Sequence, residues 1–213
     1  MRVHAHPALL SALKHLHKHA DFLEKYSPTA KNSGFFYFDS VGLARPEITH
    51  YRKRLTERYT PPQNAKVLLL VPQTRNKPFH KAPEFKKIRQ LLRNIGKELS
   101  SQVHVCVYSA PFGLVPLELD EVYPLSQHEA AHPFDLETVN YVANQTAEYI
   151  ERSPYQSVVL LNDPKHWGDI VKKASEKVCS IKSLEFDSVD ANVQGSKEIF
   201  SRLEVILREQ LSK

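Results

Sequence analysis

Lys66-Val-Leu-Leu-Leu-Val-Pro-Gln-Thr-Arg-Asn-Lys-Pro-Phe79 joins an unbroken aliphatic run to a polar turn that two prolines constrain. Val67 to Val71 offer no polar face, and that pattern marks a short strand buried on both sides, as in a parallel sheet. The turn that follows, with Thr74, Arg75, Asn76 and Lys77, then sits at the carboxyl end of the strand. Folds of alternating strands and helices collect their ligands at that edge.

Working outward, Val103 to Ser109 and Ser157 to Asn162 repeat the valine-rich pattern, and Ile181 to Phe186 gives a weaker fourth run. Between them, apolar residues recur at helical spacing: Phe85, Ile88, Leu92, Ile95 and Leu99, then Val139, Val142, Thr146 and Ile150. Asp163-Pro164 reads as a cap and first-turn pair for a helix carrying Trp167, Ile170, Val171, Ala174 and Val178. Ile199, Leu203, Ile206 and Leu207 mark the last helix. The expected fold is a three-layer α/β/α domain with a central, mainly parallel four-stranded sheet.

Ahead of this core, Pro7 opens a helix with Leu9, Leu13, Leu16, Ala20 and Leu23 on one stripe, running to about Lys25. A loop with Pro28, Asn32 and Gly34 leads into the extended run Phe35 to Phe38, and Pro46 opens a second helix bearing Ile48, Tyr51, Leu55 and Tyr59. Thr60-Pro-Pro62 ends it. Residues 1–62 are therefore expected to form an N-terminal helical region packed on an α/β core of residues 63–213.

With 41% hydrophobic and 25% charged residues among 213, the composition is that of a globular protein with one principal domain. Two cysteines, Cys106 and Cys179, each beside apolar residues, are too few for a disulfide framework and suit a reducing compartment such as the cytoplasm. No apolar run approaches a membrane span, and Met1 to His6 carry no leader pattern. Charge is segregated. Arg75, Lys77, Lys81, Lys86, Lys87, Arg89, Arg93 and Lys97 face only Glu84 within their stretch, and no Lys or Arg occurs from Glu98 to Glu151. Such a block fits a polyanion-facing side or a solvated helix face.

Two segments carry the chemistry that the residues allow. Arg75 offers a fork of donors and Lys77 a compact charge or, if desolvated, a nucleophilic amine. The long connection Ser109 to Pro124, with prolines at 111, 116 and 124, lacks periodicity; Gly113 would admit close backbone approach, and Glu118 could accept hydrogen bonds from a base or an amine. Asn162 to His166 would complete the edge. His15 and His19 share a helical face without the companions of a metal motif, and His128 and His132 have no role beyond lining. No glycine-rich phosphate loop, Gly-x-Ser-x-Gly or paired Cys-x-x-Cys occurs. No metal or cofactor is expected.

Arg45-Pro-Glu47 opening a helix to Glu57-Arg-Tyr59, Val67 to Val71 leading into Pro72 and Lys77-Pro-Phe79, and Pro111-Phe-Gly-Leu-Val-Pro116 with Glu118 and Tyr123-Pro124 together resemble the core domain of archaeosine synthase. The resemblance covers most of the chain, and Gly-Leu-Val-Pro-x-Glu-Leu is its most specific part. It implies action on archaeal tRNA: addition of an amine, lysine, to the nitrile of 7-cyano-7-deazaguanine on the way to archaeosine. In that family the strand-end motif is similar to Pro-Cys-Ser-x-x-Lys-Pro-Tyr. Pro72, Lys77, Pro78 and Phe79 match it, Thr74 replaces its hydroxyl residue, and Gln73 stands at the cysteine.

A carboxamide cannot attack a nitrile as a thiolate can. Two readings therefore stay open beside each other: a transferase or transferase subunit, and a non-catalytic tRNA-binding subunit of a split enzyme. A small-molecule domain without RNA is the third. In the first reading Lys77, Thr74 and Glu118 carry the chemistry. Pro72, Gln73, Arg75, Pro78, Phe79, Ser109, Pro111, Gly113, Val115 and Asn162 line the substrate pocket, and Lys81, Lys86, Lys87, Arg89 and Arg93 contact phosphate. The resemblance also implies partners: tRNA, and a transglycosylase-like or PUA-containing subunit or a radical enzyme of the same pathway, with the chain as a stand-alone core.

Overall fold

The computed structural model describes residues 7–19, 22, 36–37, 42–122, 124–126, 129–130, 133–191 and 196–213. Its amino-terminal part holds α1 (Pro7–His17), a two-residue strand β1 (Phe36–Tyr37) and α2 (Pro46–Glu57). The alternating part runs β2 (Val67–Pro72), α3 (Pro83–Ile95), the short α4 (Lys97–Ser100), β3 (Val103–Ser109), β4 (Gly113–Pro116) and β5 (Glu129–Ala130). It continues with α5 (Leu136–Arg152), β6 (Ser157–Asn162), α6 (Pro164–Trp167), α7 (Ile170–Lys182), β7 (Glu185–Asp190) and α8 (Ser196–Leu211). Ala20, Leu23, Lys25, Pro28, Asn32, Gly34, Phe35, Phe38, Tyr123, His128 and His132 lie outside the described residues.

The central sheet has five strands in the order β4-β3-β2-β6-β7, one more than expected. β2, β3, β6 and β7 are parallel, while β4 runs antiparallel to β3 with Ser109 opposite Gly113 and Cys106 opposite Pro116. The stretch after β3 is thus not structureless. Its glycine and prolines hide a four-residue edge strand, short enough to leave no alternation in the sequence. β1 and β5 pair as a separate two-stranded ribbon.

The fourth parallel strand begins at Glu185, not Ile181. Helix α7 continues to Lys182 and closes at Ser183, whose backbone is left-handed with φ 56°, while Leu184 N–H returns to the Cys179 carbonyl at 2.8 Å. Ile181 is 73% exposed, so its apolar character belongs to a helix surface and not to a strand. Two glycines also divide helices that the periodicity predicts as continuous. Gly96, φ 105°, separates α3 from α4, and Gly168, φ 56°, separates α6 from α7.

β2 lies at the centre, with Leu68, Leu69 and Leu70 fully buried. Burial of each such side chain contributes about 2 kcal/mol. Helices α3 and α8 pack together against one face and α5 and α7 against the other, completing three layers. The chain leaves β2 on one side to make β3 and comes back on its other side to make β6. Right-handed crossovers then put the intervening helices on opposite faces, and the crevice between the carboxyl ends of β2 and β6 is the topological switch point.

Helix α2 belongs to the same core. Ile48, Tyr51 and Leu55 are buried, and the Tyr51 hydroxyl donates to the Leu114 carbonyl of β4 at 2.6 Å. The end of α5 is tied to α7 by Lys182, whose ammonium donates to the carbonyls of Ile150, Glu151 and Ser153 at 3.2, 2.7 and 2.9 Å. The Ile150 carbonyl also accepts from the Ser153 N–H at 3.3 Å, and the cation adds its charge where the helix dipole is negative.

Candidate functional site

Three loops meet at the carboxyl edge of the sheet. Gln73, just past β2, donates its backbone N–H to the Tyr108 carbonyl at 3.1 Å, and its Oε1 accepts from Ser109 Oγ and from the Ala110 N–H, both at 2.8 Å. Two donors occupy the two lone pairs of that oxygen. Gln73 is therefore a clasp between the first loop and the second. Lys77 reinforces it, with Nζ 5.3 Å from the ring centres of both Phe79 and Phe112. An ammonium over aromatic faces is held by the ring quadrupoles and partly withdrawn from water. The Lys77-Pro78 and Ala110-Pro111 bonds are both cis. Thr74 folds back on its own turn, donating to the Asn76 carbonyl at 3.2 Å, and Arg75 is exposed beside it.

The third loop is anchored through Tyr108. Its hydroxyl donates to the Leu161 carbonyl at 2.8 Å and accepts from the Asp163 N–H at 3.2 Å. Asn162 is fully buried and its Nδ2 donates to Asp190 at 2.8 Å and Asp169 at 3.3 Å. Asp163 does not cap α6 through a backbone N–H as its sequence position suggests; its carboxylate pairs with His166 Nδ1 at 2.7 Å.

Not every sequence-predicted residue joins this cluster. Gly113 has φ 84°, and a Cβ there would sit 2.7 Å from Gln145 Cβ, so the missing side chain serves the packing of α5 on β4. Val115 is fully buried within β4. Because β4 runs antiparallel, it carries Glu118 away from Gly113 and sets it beside His104 near the start of β3. Thr74, Lys77 and Gly113 are thus separated from Glu118 by the length of a strand, contrary to their expected convergence.

Glu118 heads a different polar network. The Tyr59 hydroxyl donates to Glu118 Oε1, and His104 Nε2 lies 3.2 Å from the same oxygen. His104 Nδ1 lies 2.5 Å from the Tyr155 hydroxyl, which is 3.2 Å from that of Tyr149. A carboxylate only accepts, so Nε2 of His104 carries the proton that faces it. Burial acts to raise the pKa of Glu118, but hydrogen bonds from His104 and Tyr59 outweigh it and hold the carboxyl below its ordinary value. A depressed folded value stabilises above the unfolded pKa, and that stability is lost as pH falls through the folded one. Glu118→Gln is expected to lower the Tm at neutral pH, with the gap to wild type closing as pH drops below 4.5, the ordinary value. Thermal melts across an acid series check this; a gap that stays constant would contradict it.

A cleft of about 630 Å³ opens beside this network, with His80, Arg89, Glu118 and Glu121 around an apolar floor that includes Val103 and Leu117. His80 is held by Asp120, only 2% exposed, which accepts from the His80 backbone N–H at 2.7 Å and contacts Nδ1 at 2.9 Å. Tyr59 appears in the sequence only as the end of the helix-closing Glu57-Arg-Tyr59 run, and His80, His104 and Asp120 carry no motif signal. The one hint is a histidine inside the apolar strand Val103–Ser109.

The basic residues Lys81, Lys86, Lys87, Arg89 and Arg93 are all exposed, on α3 or the turn before it, while Phe85, Ile88, Leu91 and Ile95 point to the core. Lys81 lies 3.8 Å from Glu121, and Lys87 sits over Phe200 of α8. Both thiols are buried; burial pushes Cys106 well above the ordinary range and Cys179 to about 11, so they are packing groups and not nucleophiles. Among the described residues no group of three metal-ligating side chains is arranged to hold an ion, and no helix is long and apolar enough to cross a membrane.

Residues 48–207, from α2 through α8, match the family described as Domain of unknown function (DUF5591). The chain belongs to this family. The chain is also similar to named archaeal proteins: 33% identity over 81% of its length with a tRNA-guanine(15) transglycosylase of Methanobrevibacter smithii. Similarity to archaeosine synthase subunit alpha of Thermococcus kodakarensis is 31% over 75% of the chain, and to a tRNA-guanine(15) transglycosylase of Saccharolobus solfataricus 32% over 77%. The chain spans only 24%, 28% and 31% of the length of these three relatives. The crystal structure of AF0587, a protein of unknown function, has a similar fold, with a TM-score of 0.51 and 22% identity, covering 74% of this chain and 49% of that one.

Proposed function

We propose that the chain takes part in tRNA modification, as a transferase or transferase subunit that adds an amine, lysine, to the nitrile of 7-cyano-7-deazaguanine in tRNA. The observation that carries this reading is the joining of the strand-end loops by Gln73 and Lys77 inside the region shared with relatives named for tRNA modification. The substituted base enters at the carboxyl edge, bounded by Pro72, Gln73, Pro78, Ser109 and Pro111, with Asn162 beneath. Lys77 polarises the nitrile, Arg75 and Thr74 orient the nucleotide, and the exposed cations of α3 take phosphates. Glu118, a strand's length away beside His104, takes no part in the step at this edge.

Gln73 favours a second reading. Its acceptor oxygen is filled by Ser109 and Ala110 and it offers no nucleophile, so the edge is equally suited to hold the base without chemistry. Incubating the protein with tRNA bearing the cyano base and labelled lysine separates the two. The transferase reading expects label in tRNA, lost on Lys77→Ala. Salt-sensitive tRNA binding without label, even after the companion proteins of the pathway are added, would leave only the binding subunit.

A further inference from the structure

A groove of about 300 Å³ runs between α2 and the segment following β4, away from the strand-end loops. Its walls are apolar and partly aromatic: Tyr51, Leu55 and Tyr59 on one side, Leu119, Val122 and Leu125 on the other. The rim carries Arg54 and Arg58, and Glu47 there is neutralised by Arg45 at 2.8 Å. α2 also exposes Arg52 and Lys53, against one exposed acid, Glu57. Val122 is 51% exposed, so the mouth of the groove is itself apolar.

We propose that this groove receives one unstacked nucleobase of single-stranded RNA, with Arg54 and Arg58 on the adjoining phosphates. The volume lies at the lower end of small-ligand sites, enough for a single planar ring and too small for the face of a docked helix. Apolar and aromatic walls suit the base, which has a π-face whatever its identity, and the guanidinium forks suit phosphate. The cationic outer face of α2 supplies the charge complementarity that an apolar peptide would not need. The inference rests on the tRNA-modification reading and extends it: a nucleotide near the target would be pulled from its stack and held, opening the RNA for the strand-end loops.

The test uses the 213-residue chain, a fluorescently labelled short oligoadenylate and a fully abasic chain of the same length. Anisotropy titrations are expected to give about tenfold tighter binding of the oligoadenylate, the size of one base–aromatic contact. Val122→Glu should erase that preference. The new carboxylate repels both chains alike, so the ratio between them isolates the base, and Val122 is exposed enough for the fold to persist. Arg58→Ala should weaken both ligands and leave the ratio intact. Equal affinity of the wild type for the two chains, or a preference that survives Val122→Glu, would overturn the inference and leave the groove to a different occupant such as a peptide. A preference seen together with failure of tRNA labelling removes the transferase reading and leaves the groove; labelling without a preference does the reverse.

Discussion

Gly113→Ala is expected to destabilise the protein by about 2–4 kcal/mol, which for a chain of this size lowers the Tm by about 5–15 °C. Two costs coincide. The backbone φ of 84° is one that a residue with a Cβ adopts at a penalty of about 1–2 kcal/mol. The added carbon would also lie 2.7 Å from Gln145 Cβ, an atom fixed to the α5 backbone that cannot rotate away. Either β4 or α5 has to shift, and β4 is held by α2 through the Tyr51 hydrogen bond to Leu114. A thermal melt followed by circular dichroism reads the effect. A Tm within a degree of wild type would mean that β4 and α5 are less tightly apposed than described.

Trp167→Ala should cost about 3–5 kcal/mol. Trp167 is 1% exposed, and its ring meets the edge of Tyr108 at 5.3 Å and the ring of Phe134 at 4.6 Å. It closes the four-residue α6, and Tyr108, whose hydroxyl holds both Leu161 and Asp163, leans on it. The expected signature is a lower urea midpoint with an unchanged slope, since a cavity forms while the surface exposed on unfolding stays nearly constant. If the strand-end loops bind RNA, the same variant should also bind tRNA more weakly well below its melting temperature, because the third loop loses its support. A loss of stability under about 1 kcal/mol, taken as the midpoint shift times the slope, would contradict the packing role.

The sequence discloses the sheet wherever a strand is covered on both faces. Val67–Pro72, Val103–Ser109 and Ser157–Asn162 are such strands, and their apolar runs stand out against polar neighbours. It misleads at the edges. In β7, Glu-Phe-Asp-Ser-Val-Asp, only Val189 is buried, while the helix before it ends in the more strand-like Ile181. The strand-end loops were legible because their position follows from topology alone. The clasp by Gln73 was not, since its partners Ser109 and Ala110 lie 36 and 37 residues away and contact is set by register. Glu118 was singled out, but its placement depends on the direction of a strand too short to read. His80 with Asp120, and His104 with Tyr155, join positions 40 and 51 residues apart, and no local pattern announces them.

β4 has one more consequence, for how copies of this chain meet each other. An unguarded strand margin invites another backbone to zip onto it, the usual start of aggregation. Here the margin is four residues long, ends in Pro116, which has no N–H to offer, and its Leu114 carbonyl is already taken by Tyr51. At the opposite margin β7 carries Glu185, Asp187 and Asp190, held by Lys213, Gln210 and Asn162, which keep polar groups along that edge. Contacts between copies are therefore steered away from both margins of the central sheet and towards its helices and loops.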